Sequence, residues 1–436
     1  MTTKSQIFRM SAFDPGLFIA FIILTILGLI GLYTSDATGS FFFKQFLWTI
    51  IGIILFFIFL NINYSYYEKF AEYIYGVNMF LLIVTLLLGI TMRNTRGWIN
   101  FFGINFQFSE TAKISLIFLL SKYLCNYSGK MNRFWDLLLS ILLLLLPFTL
   151  IMIQPDMGTA LVLLPIFFII FYLSGVNDIF IIVISMASLL AVGLSLWMSY
   201  YQITDPESSF WLYRFFTNKI LFAFLLLSIL LIMIIFIIIQ IFTGKRSFQK
   251  IIISLIVFIL SLSFSTGLFH ILKTYHKKRF LVFINPEIDR FGAGYNIIQS
   301  MISIGSGGMI GKGFMKGKQS LLGFLPAQNT DFIFSVLAEQ FGFIFSLTVF
   351  AFFSFIILKG WNNVKYAKDK FGSLVSAGIT TYIFIHVIIN IGMATGLMPI
   401  IGLPLPFLSY GGSSLVTSMI SIAILMNIQY NRFVNV

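Results

Sequence analysis

Apolar runs of eighteen or more residues recur along this chain, and nothing else in it constrains the fold so strongly. Each run can cross about 30 Å of hydrocarbon as a helix, and in lipid every backbone amide must find its partner inside the segment. The sequence therefore predicts an all-α fold, a polytopic helical membrane protein. Spans are expected near 15–34, 44–63, 70–91, 106–121, 136–154, 157–174, 178–199, 219–242, 251–272, 331–358, 374–396 and 411–429. Composition agrees, with 59% hydrophobic residues, 10% charged residues and a mean hydropathy of +0.98. A globular surface needs far more polar coverage than that.

The first apolar run, 16–33, follows Arg9 and Asp14 and reads as an uncleaved signal-anchor. With the N-terminus in the cytoplasm, loops 64–69, 122–135, 243–250 and 359–373 fall inside. Together with two cytoplasmic termini they carry fourteen of the 28 Lys and Arg residues, which is the positive-inside bias. The same parity puts 273–330 outside, although it holds eight Lys or Arg and two acids. Long loops translocate largely regardless of charge, so these cations are not there for orientation. A basic outer loop attracts anionic lipid headgroups, phosphates included; general adhesion to anionic lipid is the plainer reading.

Single Cys125 excludes an internal disulfide and any multi-cysteine metal site. His270, His276 and His386 show no metal spacing, and His386 lies inside an apolar span, where an ionisable group can be functional but a helix-packing hydrogen bond is the plainer role. No internal repeat is visible, against a transporter built from duplicated halves.

Four polar constellations stand out. Glu110 and Lys113 are three apart near the start of a span, so they can pair on one helix face, to fix the helix or to serve a cavity. Asp156, followed by Gly158 and Thr159, suits a helix N-cap. Gly411, Gly412, Ser413 and Ser414 open the last span, where amides and hydroxyls can hold an anion or simply make a tight turn. The fourth is the loop. Its glycines disfavour regular helix and let backbone approach a ligand. Its acids, Glu287 and Asp289, lie among Arg279, Arg290, Lys312, Lys316 and Lys318. An acid among cations can act as a base on a substrate whose phosphates the cations hold, or can order the loop by salt bridges.

Taken together these segments resemble the SEDS family (shape, elongation, division and sporulation), and within it the rod-shape RodA branch. "GWINFFGINFQFSETAK" is similar to the family's W-I…G…Q-P-S-E…K pattern, and "QPDMGTALVL" to its Q-P-D-x-G-T-A. "NPEIDRFGAGYNIIQSMISIGSGGMIGKGF" and "FLPAQNTDFIFSVLAEQFGF" resemble the loop and the helix after it. "GLMPIIGLPLPFLSYGGSS" resembles the final motif. The resemblance covers about 15–430.

It implies a peptidoglycan glycosyltransferase that polymerises lipid II outside the bacterial cytoplasmic membrane, with Asp289 as general base. It implies Arg279, Arg290, Lys312, Lys316, Lys318, Gln319, Ser413 and Ser414 in substrate binding. Arg96, Glu110, Lys113, Asp156, Asp331 and Glu339 are the expected structural or cavity residues. It implies no fixed cofactor, at most a divalent cation such as Mg or Mn. The implied partners are a class B penicillin-binding transpeptidase and other elongation-complex membrane proteins, with no nucleic acid. The chain departs from the pattern at Phe108, at Ala327, Gln328 and Asn329, at Gln340 beside Glu339, and at Arg290, which follows Asp289 where proline is usual. Twelve spans against the usual ten suggest two extra helices within 175–272. A flippase for a polyprenyl-linked precursor and a non-catalytic scaffold are the competing readings.

Overall fold

The computed structural model describes residues 13–432 except 37–38, 93–94, 102–103, 127–133, 177, 205–210, 244–246, 272–276, 278, 280, 284 and 290–291. A helix lies at every one of the twelve expected spans. In chain order the helices begin with α1 (Pro15–Ser35), α2 (Ser40–Asn61), α3 (Tyr64–Leu88), α4 (Phe108–Asn126), α5 (Phe134–Ile153) and α6 (Met157–Leu173). Next come α7 (Asp178–Thr204), the short α8 (Trp211–Thr217), α9 (Lys219–Thr243) and α10 (Ser247–Ile271). The chain ends with α11 (Ala293–Gly307), the one-turn α12 (Lys318–Leu321), α13 (Ile333–Tyr366), α14 (Lys370–Ala394) and α15 (Gly412–Asn431). Among the described residues, seven helices are long and apolar enough to cross a membrane whole: α1, α2, α3, most of α9, α13, α14 and α15. Leu138–Ile153 of α5, Met157–Leu173 and Ser254–Gly267 of α10 are shorter apolar helical stretches among the described residues.

The chain divides into two compact units, one of 1–176 with 296–436 and one of 177–295. In the first unit α15 is the hub, buried along nearly its whole length and packed against α2, α4, α13 and α14. Its Gly, Ser, Thr and Ala residues let neighbouring backbones come close, as lipid-embedded packing requires. At its start an added Cβ on Gly412 would lie 1.9 Å from Trp48 Cε2. Gly412→Ala is therefore expected to overpack this crossing and cost about 1–3 kcal/mol, read as a lower thermal midpoint of the purified protein. In the second unit α7 packs against α10, and α10 against α9.

A three-stranded antiparallel meander was not foreseen in the sequence. It comprises β1 (Ile90–Met92), β2 (Thr95–Phe101) and β3 (Ile104–Phe106), with Ile90 opposite Trp98 and Asn100 opposite Asn105. Its alternation is too short to register beside the long apolar runs. At the start of α1, Asp14 caps the amides of Gly16 and Leu17 and pairs with Lys359 Nζ at 2.8 Å, tying α1 to α13.

Candidate functional site

Asp289 ends a single 3-10 turn, Pro286–Asp289. Proline fixes the entry angle, and Asn285 Oδ1 accepts from the Glu287 amide at 3.0 Å. The Gly292 amide donates to Asp289 O at 3.0 Å. The glycines behind the acid are explained by contact: a Cβ on Gly292 would lie 2.4 Å from Asp289 Oδ2, and one on Gly294 2.1 Å from Pro286 O. The Asp-x-x-Gly-x-Gly spacing thus seats a half-buried carboxylate against bare backbone. Glu287 is exposed and Arg279 half-buried, while Arg290 lies outside the described residues.

Glu110 and Lys113 do pair, at 2.8 Å, with side chains 2% and 0% exposed. That His386 touches this pair was not foreseen in the sequence. Lys113 Nζ lies 3.1 Å from His386 Nε2 and 4.7 Å from the Tyr382 ring centroid. His386 Nδ1 is 3.0 Å from Pro404 O. A carbonyl only accepts, so Nδ1 carries the hydrogen and Nε2 accepts from the ammonium. Three groups thus surround the three ammonium hydrogens. Tyr382 and His386, four apart on α14, carry a signal in their shared helix face.

Asp156 is the expected N-cap of α6, its Oδ1 accepting from the Thr159 amide at 3.2 Å. Its other oxygen accepts from Gln107 Nε2 at 2.7 Å and Ser109 Oγ at 3.1 Å, so the same carboxylate holds the start of α4. Arg96 takes a structural place, donating to Gly89 O and Leu87 O at the end of α3.

Glu339, on α13, is fully buried. Its Oε1 accepts from Lys312 Nζ at 3.2 Å and the Gln319 amide at 2.9 Å. Its Oε2 accepts from the Ser320 amide and hydroxyl, both at 3.1 Å, and from Ser303 Oγ at 3.2 Å. Lys316 and Lys318 are exposed and have no carboxylate partner among the described residues.

Asp331 lies in the turn before α13, where its carbonyl accepts from Asn390 Nδ2 at 2.9 Å. The departures Gln328 and Asn329 bond to Ser35 at the end of α1. Ser413 and Ser414 are buried in the first turn of α15. The Gly411 amide just before them is taken by Gln45 Oε1 at 3.1 Å. Among the described residues no three His, Cys, Asp or Glu side chains converge as a metal-ligand set.

The helices and their buried ion pairs define a polytopic membrane protein with polar nodes inside its bundle and an acid-bearing turn in its long polar segment. The chain belongs to the FtsW–RodA–SpoVE family, described as "Cell cycle protein", whose model matches residues 14–214 and 215–433. It is 34% identical over 432 residues to "Peptidoglycan glycosyltransferase RodA" of Treponema pallidum, covering 96% of this chain and 98% of that protein. It is 28% identical over 387 residues to "Peptidoglycan glycosyltransferase MrdB" of Escherichia coli K12, with coverages of 88% and 84%. Among solved structures, the Thermus thermophilus rod shape determining protein RodA aligns with a TM-score of 0.60 at 21% identity, covering 97% of this chain and 98% of that one. A chain from a peptidoglycan synthase complex aligns with a TM-score of 0.68 at 22% identity, with coverages of 97% and 99%. These two likenesses show a shared fold.

Proposed function

We propose that this protein is a peptidoglycan glycosyltransferase that polymerises lipid II into glycan strands. The observation that carries the reading is its 34% identity, over nearly the full length of both chains, to a relative named for that activity. The Asp289 turn supplies the chemistry. A half-buried carboxylate with backbone closed behind it is a suitable general base. Asp289 takes the proton of the acceptor's GlcNAc 4-hydroxyl. That oxygen attacks the anomeric carbon of the donor's MurNAc, the bond from this carbon to the diphosphate oxygen breaks, and undecaprenyl diphosphate leaves. Cations of 273–330 offset the charge that develops on it, with Arg279, Arg290, Lys316 and Lys318 in that role, and Gln319, Ser413 and Ser414 contribute polar contacts. A diphosphate is already a good leaving group, so one base suffices where hydrolysis of an ordinary glycoside takes two carboxylates.

In this reading the chain sits in the bacterial cytoplasmic membrane with both termini inside and 273–330 outside. It works with a class B penicillin-binding transpeptidase and other elongation-complex membrane proteins. The two helices beyond the usual ten fall within 175–272. The buried Glu110–Lys113–His386 cluster favours one rival, movement of the lipid precursor across the bilayer, because intramembrane ionisable groups often mark transport paths. Purified full-length protein, alone and with its transpeptidase, is expected to convert lipid II into long strands resolved by gel electrophoresis. Lipid II consumed by neither preparation, but moved across vesicle bilayers, would favour the rival.

A further inference from the structure

Helix α13 is broken at Gly342, whose φ of +81° lies in the left-handed region. In an unbroken helix the amides of Phe343 and Ile344 would bond the carbonyls of Glu339 and Gln340. Here the chain after α11 takes all four groups. Phe343 N donates to Gly308 O at 2.9 Å and Ile344 N to Met309 O at 3.2 Å. Lys312 N donates to Glu339 O at 3.0 Å and Gly313 N to Gln340 O at 2.9 Å. The approach is so close that a Cβ on Gly311 would lie 2.2 Å from Gln340 O. The segment after α11 is thus stitched into the helix break.

Glu339 extends this seam with its side chain. Five donors converge on its two oxygens, from Ser303, Lys312, Gln319 and Ser320. An added Cβ on Gly317 would lie 2.7 Å from Glu339 Oε2. The carboxylate therefore sits directly behind the residue that separates Lys316 from Lys318. The lysines are not equivalent. The charge of Lys312 is offset by Glu339 at 3.2 Å, whereas Lys316 and Lys318 are exposed and have no carboxylate partner among the described residues.

We propose that Glu339 is a positioning residue: by binding Lys312 and the Gly317–Ser320 turn, it fixes Lys316 and Lys318 as a paired-cation site for a phosphate-bearing lipid headgroup. That the headgroup is the substrate's diphosphate rests on the function proposed above. Two exposed lysines one residue either side of a pinned glycine suit two adjacent phosphates, and lysine binds phosphate as a point charge. Lys312 is then part of the frame.

The test measures binding of undecaprenyl diphosphate to the full chain in phosphatidylcholine nanodiscs, with kcat and KM for lipid II beside it. The variants are Lys316→Met/Lys318→Met, Glu339→Gln, Lys312→Met and Glu339→Gln/Lys312→Met. Loss of charge-assisted contacts predicts binding weakened about tenfold or more in Lys316→Met/Lys318→Met, whose changes are exposed and leave folding intact. Glu339→Gln is expected to raise KM about as much with kcat changed far less. Lys312→Met and Glu339→Gln should be strongly non-additive, because each alone breaks the same clamp. Unchanged binding in Lys316→Met/Lys318→Met, or a Lys312 effect that persists in full when Glu339 is already Gln, overturns the proposal. Repeating the binding with phosphatidylglycerol in place of the diphosphate distinguishes the source. Equal dependence on Lys316 and Lys318 there assigns the site to bulk anionic lipid and overturns its substrate role. If the wild type binds in the expected pattern but polymerises nothing, the enzymatic reading fails while the clamp stands.

Discussion

Asp289→Asn is expected to all but abolish glycan polymerisation while leaving the chain folded. Asparagine keeps the size of the side chain and its place in the turn, so the Pro286–Asp289 3-10 helix and the Gly292 amide bond have no reason to change. The carboxylate is lost, and with it the acceptor for the hydroxyl proton. Removing a positioned general base lowers a rate by about a hundred- to ten-thousand-fold. The measurement is strand formation from lipid II by wild type and variant at equal concentration, each with the transpeptidase present, with matched thermal midpoints as the folding control. Glu287→Gln is the internal comparison: that side chain is exposed and its amide is held by Asn285, so its effect should be small. Equal rates for wild type and Asp289→Asn would move the base elsewhere and remove the chemical meaning given to the turn. Loss in Glu287→Gln alone would identify the neighbouring acid instead.

The spans were legible because hydrocarbon thickness and backbone hydrogen bonding leave a membrane segment few options. Even α4, with Glu110, Lys113 and Lys122 inside it, was expected near its place, since its charges lie toward its two ends and the stretch between them is largely apolar. The Asp156 cap was legible for a similar reason: a cap is a local arrangement of consecutive residues. Contacts between distant segments were not. Nothing in the spacing of Lys113 and His386, 273 residues apart, announces that they touch. The break at Gly342 was hidden too, because a glycine inside a long apolar run gives no sign that another segment will complete its hydrogen bonds. Glu339 was expected as a structural or cavity residue, but its five donors come from four residues, Ser303 on α11 and Lys312, Gln319 and Ser320 after it, all far from it in sequence. The meander between α3 and α4 was missed because two of its three strands have only three residues, too little alternation to read.

The Glu110–Lys113–His386 cluster bears the second large effect, this time on stability. Lys113→Met is expected to destabilise the protein by about 3–5 kcal/mol, because removing one partner of a buried pair leaves the other charge uncompensated. Glu110 would keep its carboxylate at 2% exposure without the ammonium 2.8 Å away, and His386 Nε2 would lose its donor. Glu110→Gln/Lys113→Met removes both charges together and should recover part of the loss, since a matched apolar or neutral pair is often no less stable than a buried ion pair. His386→Gln is expected to be mild, because an amide can donate to Pro404 O and accept from Lys113 at once. Thermal unfolding of the purified protein, followed by tryptophan fluorescence, gives all three comparisons. A Lys113→Met midpoint equal to wild type would mean that water reaches the pair and that the cluster belongs to a hydrated path. Polymerisation measured below the variants' midpoints then separates the two roles left open by the residues themselves. A double variant that is stable again but inactive makes the pair part of the working cavity. One that is stable and active makes it a device for fixing α4 against α14, with the chemistry left to Asp289.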